Sequence, residues 1–465
     1  MILALLCRFA PILVADPNTI DDCQYPDDDA ARQAWEPMAL IAPASVATLD
    51  GHKGLRLPCP FSGTKIERAS WDRKVKLDLS SGSGFEFKLF CRDASPVSYF
   101  SIYFQSGDGW YDATFFPESA TTWNTITIDK SAITTEGHPA GWSQIRTIRI
   151  SAWRGRDANT EFYLSDLRAI GVLGGDAAVA VLREDSAAAA GPDEVSSAKR
   201  YSESVAEELR ALDLGCAILS DLDVTLERLK RAKVVVLPYN PHLPDGATLA
   251  LIDYARSGGK LLAFYTVPRA LYPVLQVEAG DPTRAPRAGS FSSIHFTDPL
   301  LPGAPKSVGQ RSWNINAFKP ISGAGRVLAE WFDDQGQSTG YSAVLASTNT
   351  VLMSHVLLKD DIANKRRMLL ALVGYLAPEL WTQATDAAIS RIGSLAGFTN
   401  FDQAVMEIAR FGRDDPRVER ALASARELRA SAVKSASQRE AAQALDQAAA
   451  SSRKLTEAFC MAQPA

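Results

Sequence analysis

The clearest hydrophobic pattern lies in residues 233–275, where two short apolar runs enclose one amphipathic segment. The run Val234–Leu237 is typical of a strand that is buried on both faces of a parallel sheet. Apolar residues then recur at helical spacing until the Gly258-Gly259 pair, which predicts a helix that ends there. A second apolar run, Leu261–Tyr265, follows at once. This strand–helix–strand unit places its loops at the carboxyl ends of the strands.

The alternation of strands and helices continues through residues 176–380 and predicts a doubly wound α/β domain. Further strands are predicted at Ala177–Leu182, Cys216–Leu219, Val327–Phe332, Ser342–Leu345 and Val351–Val356, and helices at Ser196–Leu212, Val224–Arg231 and Asp360–Leu376. Residues 281–313 are rich in Pro, Gly and Ser and have few periodic positions. We therefore expect a long insertion over the sheet in this segment.

Residues 16–175 have a different, all-β pattern. Apolar and polar positions alternate with period two in Phe85–Cys91 and in Ile145–Trp153, and turn residues separate about seven short strands. This pattern predicts a β-sandwich of the jelly-roll type.

Residues 381–465 change in composition to Ala, Arg, Glu, Gln and Ser. Helices are predicted at Thr382–Leu395, Phe401–Phe411, Arg417–Lys434 and Ser437–Met461. The last two have few large apolar residues, so we expect them to pack loosely or to need a partner. The segment is interpreted as a helical linker or tail.

The net charge and the targeting signals limit the kinds of function that this sequence can have. The chain has 465 residues and a formal net charge of -5, which argues against a nucleic-acid partner because phosphate binding needs a basic surface. No apolar run after the first residues is long enough to span a membrane. Residues 1–15 resemble a signal peptide with cleavage after Ala15, although no basic residue precedes the apolar part. We therefore expect a secreted or periplasmic protein; the alternative is a buried first strand.

Tryptophan and tyrosine residues, which often lie partly at a surface, are frequent in the predicted sandwich. Their flat rings can stack on the apolar faces of sugars. The best local group is a turn that presents one acid and two aromatic rings, Gln105–Tyr111. The candidate carbohydrate-binding residues are Gln105, Asp108, Trp110 and Tyr111, with Trp71, Arg92 and Trp153 as further members. The alternative for each ring is a place in the sandwich core.

Acidic residues near the start of the chain suggest a second site. Asp22, with Asp166 on the last predicted strand, could contribute oxygen ligands to a structural calcium ion. The spacing matches no EF-hand loop, so a solvated acidic turn is the alternative. The cysteines show no CxxC pair; one disulfide among Cys23, Cys59 and Cys91 and buried free thiols are both compatible with their spacing.

Several phrases of the sequence are similar to a known family. The segments CQYPDDDAARQAW, FKLFCRDASPVSYFSIYFQSGDGWY and IRTIRISAWRG, among others, resemble the N-terminal galactose-binding-like sandwich of secreted bacterial proteins that carry a barrel like that of glycoside hydrolase family ten. The middle domain resembles the class I glutamine-amidotransferase-like domain that serves as an accessory domain in several glycosidases. The resemblance extends over nearly the whole chain and implies a non-catalytic region of such a protein.

The resemblance also shows what this sequence lacks. Amidotransferases place a nucleophilic cysteine on the turn after a strand, but the turn after Leu261–Tyr265 reads Thr-Val-Pro-Arg. Cys216 lies at the start of an earlier strand, and His355 has no acid beside it. A triad depends on partnered groups, so we interpret His355 as a packing or capping residue and assign no catalytic residue.

The sequence thus favours a protein that binds a polysaccharide or glycan through its sandwich. The family resemblance implies a catalytic barrel, C-terminal or separate, which this sequence lacks and which the protein would position. Two alternatives stay open: a hydrolase or amidotransferase-like enzyme that acts through the α/β domain, and a structural assembly module.

Overall fold

The structure is a computed structural model that describes residues 18–38, 41–80, 82–297, 301–413 and 415–463. The predicted signal peptide at residues 1–15 lies outside the described residues. The chain divides into two compact units, Met1–Asp176 and Ala177–Ala465.

The first unit consists of two antiparallel sheets and one short helix. Its elements are β1 (Thr19–Asp21), α1 (Asp28–Ala34), β2 (Glu36–Pro37), β3 (Ser45–Leu49), β4 (His52–Cys59), β5 (Arg68–Leu77), β6 (Gly84–Phe90), β7 (Val97–Phe115), β8 (Asn124–Asp129), β9 (Thr134–Pro139), β10 (Ile145–Arg154) and β11 (Thr160–Ile170). One sheet has the strand order β3-β4-β11-β6-β8, with β1 paired to β11, and the other has the order β2-β5-β10-β7-β9. The predicted β-sandwich is confirmed.

The core of the sandwich is built from alternate residues of both sheets. Ile102 on β7, Ile150 on β10 and Leu164 on β11 are fully buried in the same apolar cluster. Trp71 on β5 belongs to this cluster, and its indole packs edge-on against Phe162 with ring centroids 5.7 Å apart. The period of two residues therefore directs one row of each strand into the core.

The second unit contains a mixed sheet and all the long helices. Its strands are β12 (Val179–Arg183), β13 (Cys216–Ser220), β14 (Val234–Leu237), β15 (Leu261–Phe264), β16 (Val277–Glu278), β17 (Pro282–Arg284), β18 (Phe291–Phe296), β19 (Ser307–Ser312), β20 (Asn314–Asn316), β21 (Lys319–Pro320), β22 (Arg326–Phe332), β23 (Ser338–Ala346) and β24 (Thr350–Met353). Its helices are α2 (Pro192–Arg210), α3 (Leu226–Leu229), α4 (Asp245–Arg256), α5 (Tyr272–Leu275), α6 (Ile362–Leu376), α7 (Glu379–Ser390), α8 (Phe401–Phe411), α9 (Pro416–Ser437) and α10 (Ala441–Ala462).

The main sheet has the order β13-β12-β14-β15-β24-β23-β22-β18-β19. Its first five strands are parallel, and β23, β22, β18 and β19 continue it in antiparallel fashion. Helix α2 packs with α6, whereas α4 packs with α3 and α5. The doubly wound α/β domain is confirmed.

The prediction of a long insertion at residues 281–313 is wrong. Strands β18 and β19 of this segment extend the main sheet, and β17 pairs with β20 in a small separate sheet. Ser, Gly and Arg dominate β19, because only its alternate residues Val308, Gln310 and Ser312 are buried. A polar edge strand of this kind has no strong hydrophobic signal.

The helical tail is also confirmed, but its last two helices do not lack a partner. Helices α9 and α10 pack on each other through small residues, among them Ala425 and Ala448, which are buried. The hydroxyl of Ser451 donates a hydrogen bond to the backbone carbonyl of Ala425 at 2.7 Å across the helix pair. Small side chains let the two helices approach each other closely. This close packing takes the place of contacts between large apolar residues, which these helices lack. Among the described residues, no helix has both the length and the apolar character that crossing a membrane requires.

The place of Trp71 in the core gives a stability prediction. Its side chain is fully buried and its indole N–H donates to the carbonyl of Ala42 at 3.0 Å. Trp71→Ala leaves a cavity, so we expect the free energy of unfolding to fall by about 3–5 kcal/mol in urea denaturation. Phe116→Ala, at a side chain that is 49% exposed, is the control and should cost less than about 1 kcal/mol. Equal losses for the two variants would contradict the core assignment.

Candidate functional site

The five-stranded sheet of the sandwich turns a polar and aromatic surface away from the core, which we call the outer face. Residues that alternate with the buried ones on the three central strands form it, together with Trp110 after the turn in β7. Its members are Arg68, Ser70, Asp72, Lys74, Tyr99, Ser101, Tyr103, Gln105, Trp110, Thr147, Arg149, Ser151 and Trp153. The antiparallel register sets them in cross-strand rows, for example Tyr99 opposite Trp153.

An aromatic pair forms one end of the outer face. The rings of Tyr99 and Trp153 stack with centroids 5.3 Å apart, and the guanidinium of Arg68 lies 4.9 Å from the Trp153 ring. The indole N–H of Trp153 donates to the hydroxyl of Ser101 at 3.0 Å. This hydrogen bond and the stacking fix the orientation of the indole, which stays partly exposed.

An ion pair and a second tryptophan form the middle of the face. Arg149 donates two hydrogen bonds to the carboxylate of Asp72, at 2.6 and 2.8 Å, and these bonds hold the pKa of Arg149 above its usual value. The same guanidinium lies 4.6 Å from the centroid of the Trp110 ring, whose edge meets Tyr103. A bidentate pair that also stacks on an indole is rigid, because each contact restricts the other.

Hydroxyl and amide groups continue the face towards its other end. Thr147 donates to the amide oxygen of Gln105 at 2.8 Å and accepts from the ammonium of Lys74 at 3.4 Å. The hydroxyls of Ser70 and Ser151 bond to each other at 2.7 Å. Ser70, Ser151 and Thr147 are themselves buried, so the accessible groups of the face are mainly the rings of Tyr99, Trp110 and Trp153, the charged side chains and Gln105.

Gly107 changes which residues of β7 face outward. Its φ of 56° is in the left-handed region, where a Cβ would also meet the Cβ of Ala140 at 2.8 Å. Before this residue Gln105 faces outward, and after it Trp110 does so. Asp108, exposed and opposite His138 on β9, lies at the rim of the outer face, two residues before Trp110.

Three predicted site residues do not belong to the outer face. Trp71 is fully buried in the core, so it cannot stack on a ligand, and its assignment is wrong. Tyr111 turns inward and stacks on Trp142 with centroids 4.0 Å apart, against the sandwich core. Arg92 is exposed but follows β6 of the opposite sheet, near Glu161. Gln105, Asp108, Trp110 and Trp153 are the predicted residues that the fold brings to one surface.

Sequence reasoning missed Asp72, Arg149 and the three serines of the face. The signal was present, because polar and apolar residues alternate along both β5 and β10. The missing information was the pairing of these strands, since Asp72 and Arg149 are 77 residues apart in the chain.

The two residues predicted to bind calcium lie in one pocket of about 360 Å³ on the other sheet. Asp22 and Asp166 share it with Glu86, Lys88 and Arg168, and Glu86 forms an ion pair with Arg168. No group of three His, Cys, Asp or Glu side chains arranged to hold a metal occurs in the part of the chain that the structure describes. Asp22 accepts a hydrogen bond from the N–H of Gln24 at 2.9 Å, and two cations lie in the same pocket. This set differs from the shell of oxygens that calcium takes, so these residues alone fit the ion poorly.

The turn after β15 in the second unit begins with Tyr265. Its φ is 56°, and three hydrogen bonds hold it: its N–H donates to Met353, while its carbonyl and its phenol oxygen accept from Asn316 and Asn314 at 2.6 Å each. A left-handed tyrosine is rare and persists only where the surroundings fix it. The turn is therefore structurally specified by the hydrogen bonds of Tyr265, and its residues include no thiol.

His355 lies beside this turn, its ring centroid 5.2 Å from that of Tyr265. Burial lowers the pKa of His355 to about 4, so the imidazole is neutral at physiological pH. Its Nε2 lies 3.3 Å from the amide oxygen of Asn314, and its Nδ1 lies 3.1 Å from the side-chain nitrogen of Gln310. Both ring nitrogens are engaged, which agrees with a packing role.

Cys216, the other candidate nucleophile, is the first residue of β13 and is buried. Its thiol lies 3.6 Å from the carbonyl of Ala206, and burial raises its pKa to about 11. A protonated, enclosed thiol is a poor nucleophile. Neither Cys216 nor His355 forms part of a catalytic set.

Comparison with known proteins gives structural neighbours only. No protein-family model matches the chain, and no curated protein matches it. A ThuA-like protein from Bacteroides uniformis ATCC 8492 is 11% identical over 43% of this chain and 90% of that chain, with a TM-score of 0.34. A β-galactosidase from Bacillus circulans sp. alkalophilus is 16% identical over 44% of this chain and 31% of its own, with a TM-score of 0.35. A family 11 carbohydrate-binding module from Clostridium thermocellum, in complex with a β-1,3-1,4-mixed-linked tetrasaccharide, is 12% identical over 33% and 95%, with a TM-score of 0.26. Function has to be argued from the side chains of this chain.

The burial of the thiols predicts selective alkylation. Cys460 is exposed, whereas Cys23, Cys59, Cys91 and Cys216 are buried free thiols, and burial raises the pKa of Cys91 to about 11. With iodoacetamide at pH 7.5, we expect peptide mass spectrometry to find label on Cys460 and little on these four. Cys460→Ser is the control and should remove that label. Rapid labelling of Cys216 in the native protein would instead revive an enzyme acting through the α/β domain.

The calcium site stays a prediction. An ion held by Asp22 and Asp166 would raise the melting temperature when calcium is added after chelation, and Asp166→Asn should abolish this rise. Asparagine suits the variant because Asp166 has a φ of 53°, which asparagine tolerates well. Asp108→Asn, at the rim of the opposite sheet, is the matched control. No calcium-dependent shift in the unaltered protein would refute the site.

Proposed function

We propose that the outer face of the sandwich binds a glycan chain. The observation that carries this proposal is the combination of two partly exposed tryptophans, Trp110 and Trp153, with fixed polar groups between them on one sheet surface. Sugar rings present apolar faces that stack on aromatic rings and hydroxyls that exchange hydrogen bonds.

The shape of the surface suits an extended ligand. Adjacent strands lie about 4.8 Å apart, so the three central strands that form the face give it a width of about 10 Å, and the face is longer along the strands than across them. The two tryptophans belong to different strands, Trp110 to the edge pair β7–β9 and Trp153 to the central strand β10. A chain of several sugar units can contact both rings at once.

Side chains of the outer face are held in place before a ligand binds, and this favours affinity for a glycan. The Trp153 indole is held by Ser101, and the Arg149 guanidinium is held by Asp72 and covered by Trp110. Groups that are already fixed lose little conformational entropy when a ligand binds. The hydroxyls of Ser70 and Ser151 bond to each other and are fully buried, so they support the face from within and do not meet a ligand.

The charges of the face favour a neutral glycan. Arg149 and Asp72 neutralise each other through two hydrogen bonds. A strongly anionic or cationic polymer would have to compete with this internal pair. A polymer of neutral sugars keeps the pair and uses its remaining hydrogen-bonding capacity.

The proposal is one of binding without catalysis, since neither Cys216 nor His355 belongs to a catalytic set. The proposal also includes that the protein positions a catalytic barrel and that it acts outside the cytoplasm. Both points stay predictions. A barrel supplied in trans can be tested by co-purification.

A binding experiment tests the outer face directly. We expect the full chain to bind at least one member of a panel of soluble neutral polysaccharides in affinity electrophoresis and isothermal titration calorimetry. Trp110→Ala and Trp153→Ala should each weaken this binding roughly tenfold, because each removes one ring on which a sugar can stack.

Two tryptophans outside the face provide matched controls. Trp123→Ala alters the same unit, and Trp313→Ala removes a side chain that is 65% exposed in the second unit. Neither should change affinity for a neutral polysaccharide. No binding to any polysaccharide, or equal losses for all four variants, would refute the proposal.

A further inference from the structure

Trp153 of the outer face belongs to a row of three side chains that crosses the sheet. Its direct neighbour on β5 is Arg68, and its direct neighbour on β7 is Tyr99. Since β5 and β7 flank β10 on opposite sides, these two neighbours reach the indole from opposite sides. The three side chains therefore form one layered stack.

Both faces of the Trp153 indole are covered in this stack. The Tyr99 ring lies on one side, with centroids 5.3 Å apart and an angle of 24° between the planes, and the Arg68 guanidinium lies on the other, 4.9 Å from the Trp153 centroid. The exposed part of Trp153 is thus the edge of its ring, whereas a sugar stacks on a ring face. A glycan can stack on Trp153 only if one of the two covers moves away.

Arg68 is the cover that is held more weakly. Its Nη2 lies 3.8 Å from the sulfur of Met38, which is a weak acceptor, and no carboxylate among the described residues forms an ion pair with it. A cation–π contact at a partly exposed side chain is weak. The long arginine stem can turn away from the ring, whereas tyrosine has only two side-chain torsions.

The arginine that covers the other tryptophan of the face is fixed. Arg149 lies 4.6 Å from the Trp110 centroid, and two hydrogen bonds to Asp72, at 2.6 and 2.8 Å, hold it there. Its displacement would break a bidentate, charged pair, which is stronger than a single cation–π contact. The cover on Trp110 therefore stays in place, whereas the cover on Trp153 can leave.

We propose that Arg68 is a lid on Trp153 that sets how tightly the outer face binds a neutral glycan, an inference that rests on the function proposed above. In the free protein the guanidinium occupies the ring face that a sugar needs. When the glycan binds, Arg68 turns off the indole, and a sugar ring takes its place on the face opposite Tyr99. Arg68 therefore competes with the glycan and lowers the affinity that Trp153 would otherwise give.

Calorimetry on the full chain tests the lid with three neutral polysaccharides as probes: galactomannan, xyloglucan and mixed-linkage β-glucan. Arg68→Ala should bind a probe about threefold more tightly than the unaltered protein does, because the cation–π contact no longer has to be broken. Arg68→Thr removes the same guanidinium with a residue that suits a strand, and should show the same gain. Arg156→Ala, at an exposed arginine that follows β10 outside the face, is the control and should leave the affinity unchanged. Circular dichroism checks that each variant is folded.

Double variants assign the gain to Trp153. In a Trp153→Ala background, Arg68→Ala should no longer change the affinity, since no ring face is left to uncover. In a Trp110→Ala background, the threefold gain should persist. Hydroxyl-radical footprinting read by mass spectrometry tests the cover without a glycan: Arg68→Ala should raise the oxidation of Trp153 and leave that of Trp110 unchanged.

Four outcomes would overturn the lid. Weaker binding by Arg68→Ala and Arg68→Thr would show that Arg68 itself contacts the glycan, and unchanged affinity would show that it does not compete. A gain that persists in the Trp153→Ala background would place its origin elsewhere, and unchanged oxidation of Trp153 would show that Arg68 does not cover the ring. In these cases a probe still binds and the glycan proposal stands, whereas no binding of any probe by any variant would refute both.

Discussion

The side chains of β5, β7 and β10 must alternate between an apolar core and the outer face, and the candidate chemistry of the sandwich depends on this alternation. The inner row contains Trp71, Phe104 and Ile150, which are fully buried. A shift of one residue in the pairing would turn these side chains to water and the ion pair of Arg149 and Asp72 into the core. Core burial therefore fixes the register, and the register in turn sets the positions of the binding groups. Gly107 resets this order within β7, so that Trp110 lies on the outer face and Tyr111 turns inward.

The left-handed turn at Tyr265 in the second unit is held in place by its surroundings. A left-handed conformation costs a residue other than glycine roughly 1–2 kcal/mol. At Tyr265 the cost is offset by hydrogen bonds from both sides of the turn, because Asn314 and Asn316 hold its phenol and its carbonyl. The same Asn314 also engages His355. Asn314 thus joins the phenol of Tyr265 to the imidazole of His355, and its hydrogen bonds fix the geometry of the turn.

Much of the fold was accessible from the sequence because its elements have strong periodicity. The runs Val234–Leu237 and Leu261–Phe264 are buried along their whole length, and four tail helices occur close to their predicted positions. Strands β18 and β19 were not predicted, because half of their residues face solvent and their apolar partners come from distant strands. The packing of α9 on α10 was missed for a related reason, since a seam of alanines has little hydrophobic signal of its own.

The candidate site was only partly accessible for a different reason. Trp71, Trp110 and Trp153 are the same residue type on similar strands, yet the first is core and the other two lie on the surface. Local alternation tells which residues share a face, but not which of the two faces meets the second sheet. That distinction needs the long-range pairing that brings Asp72 to Arg149.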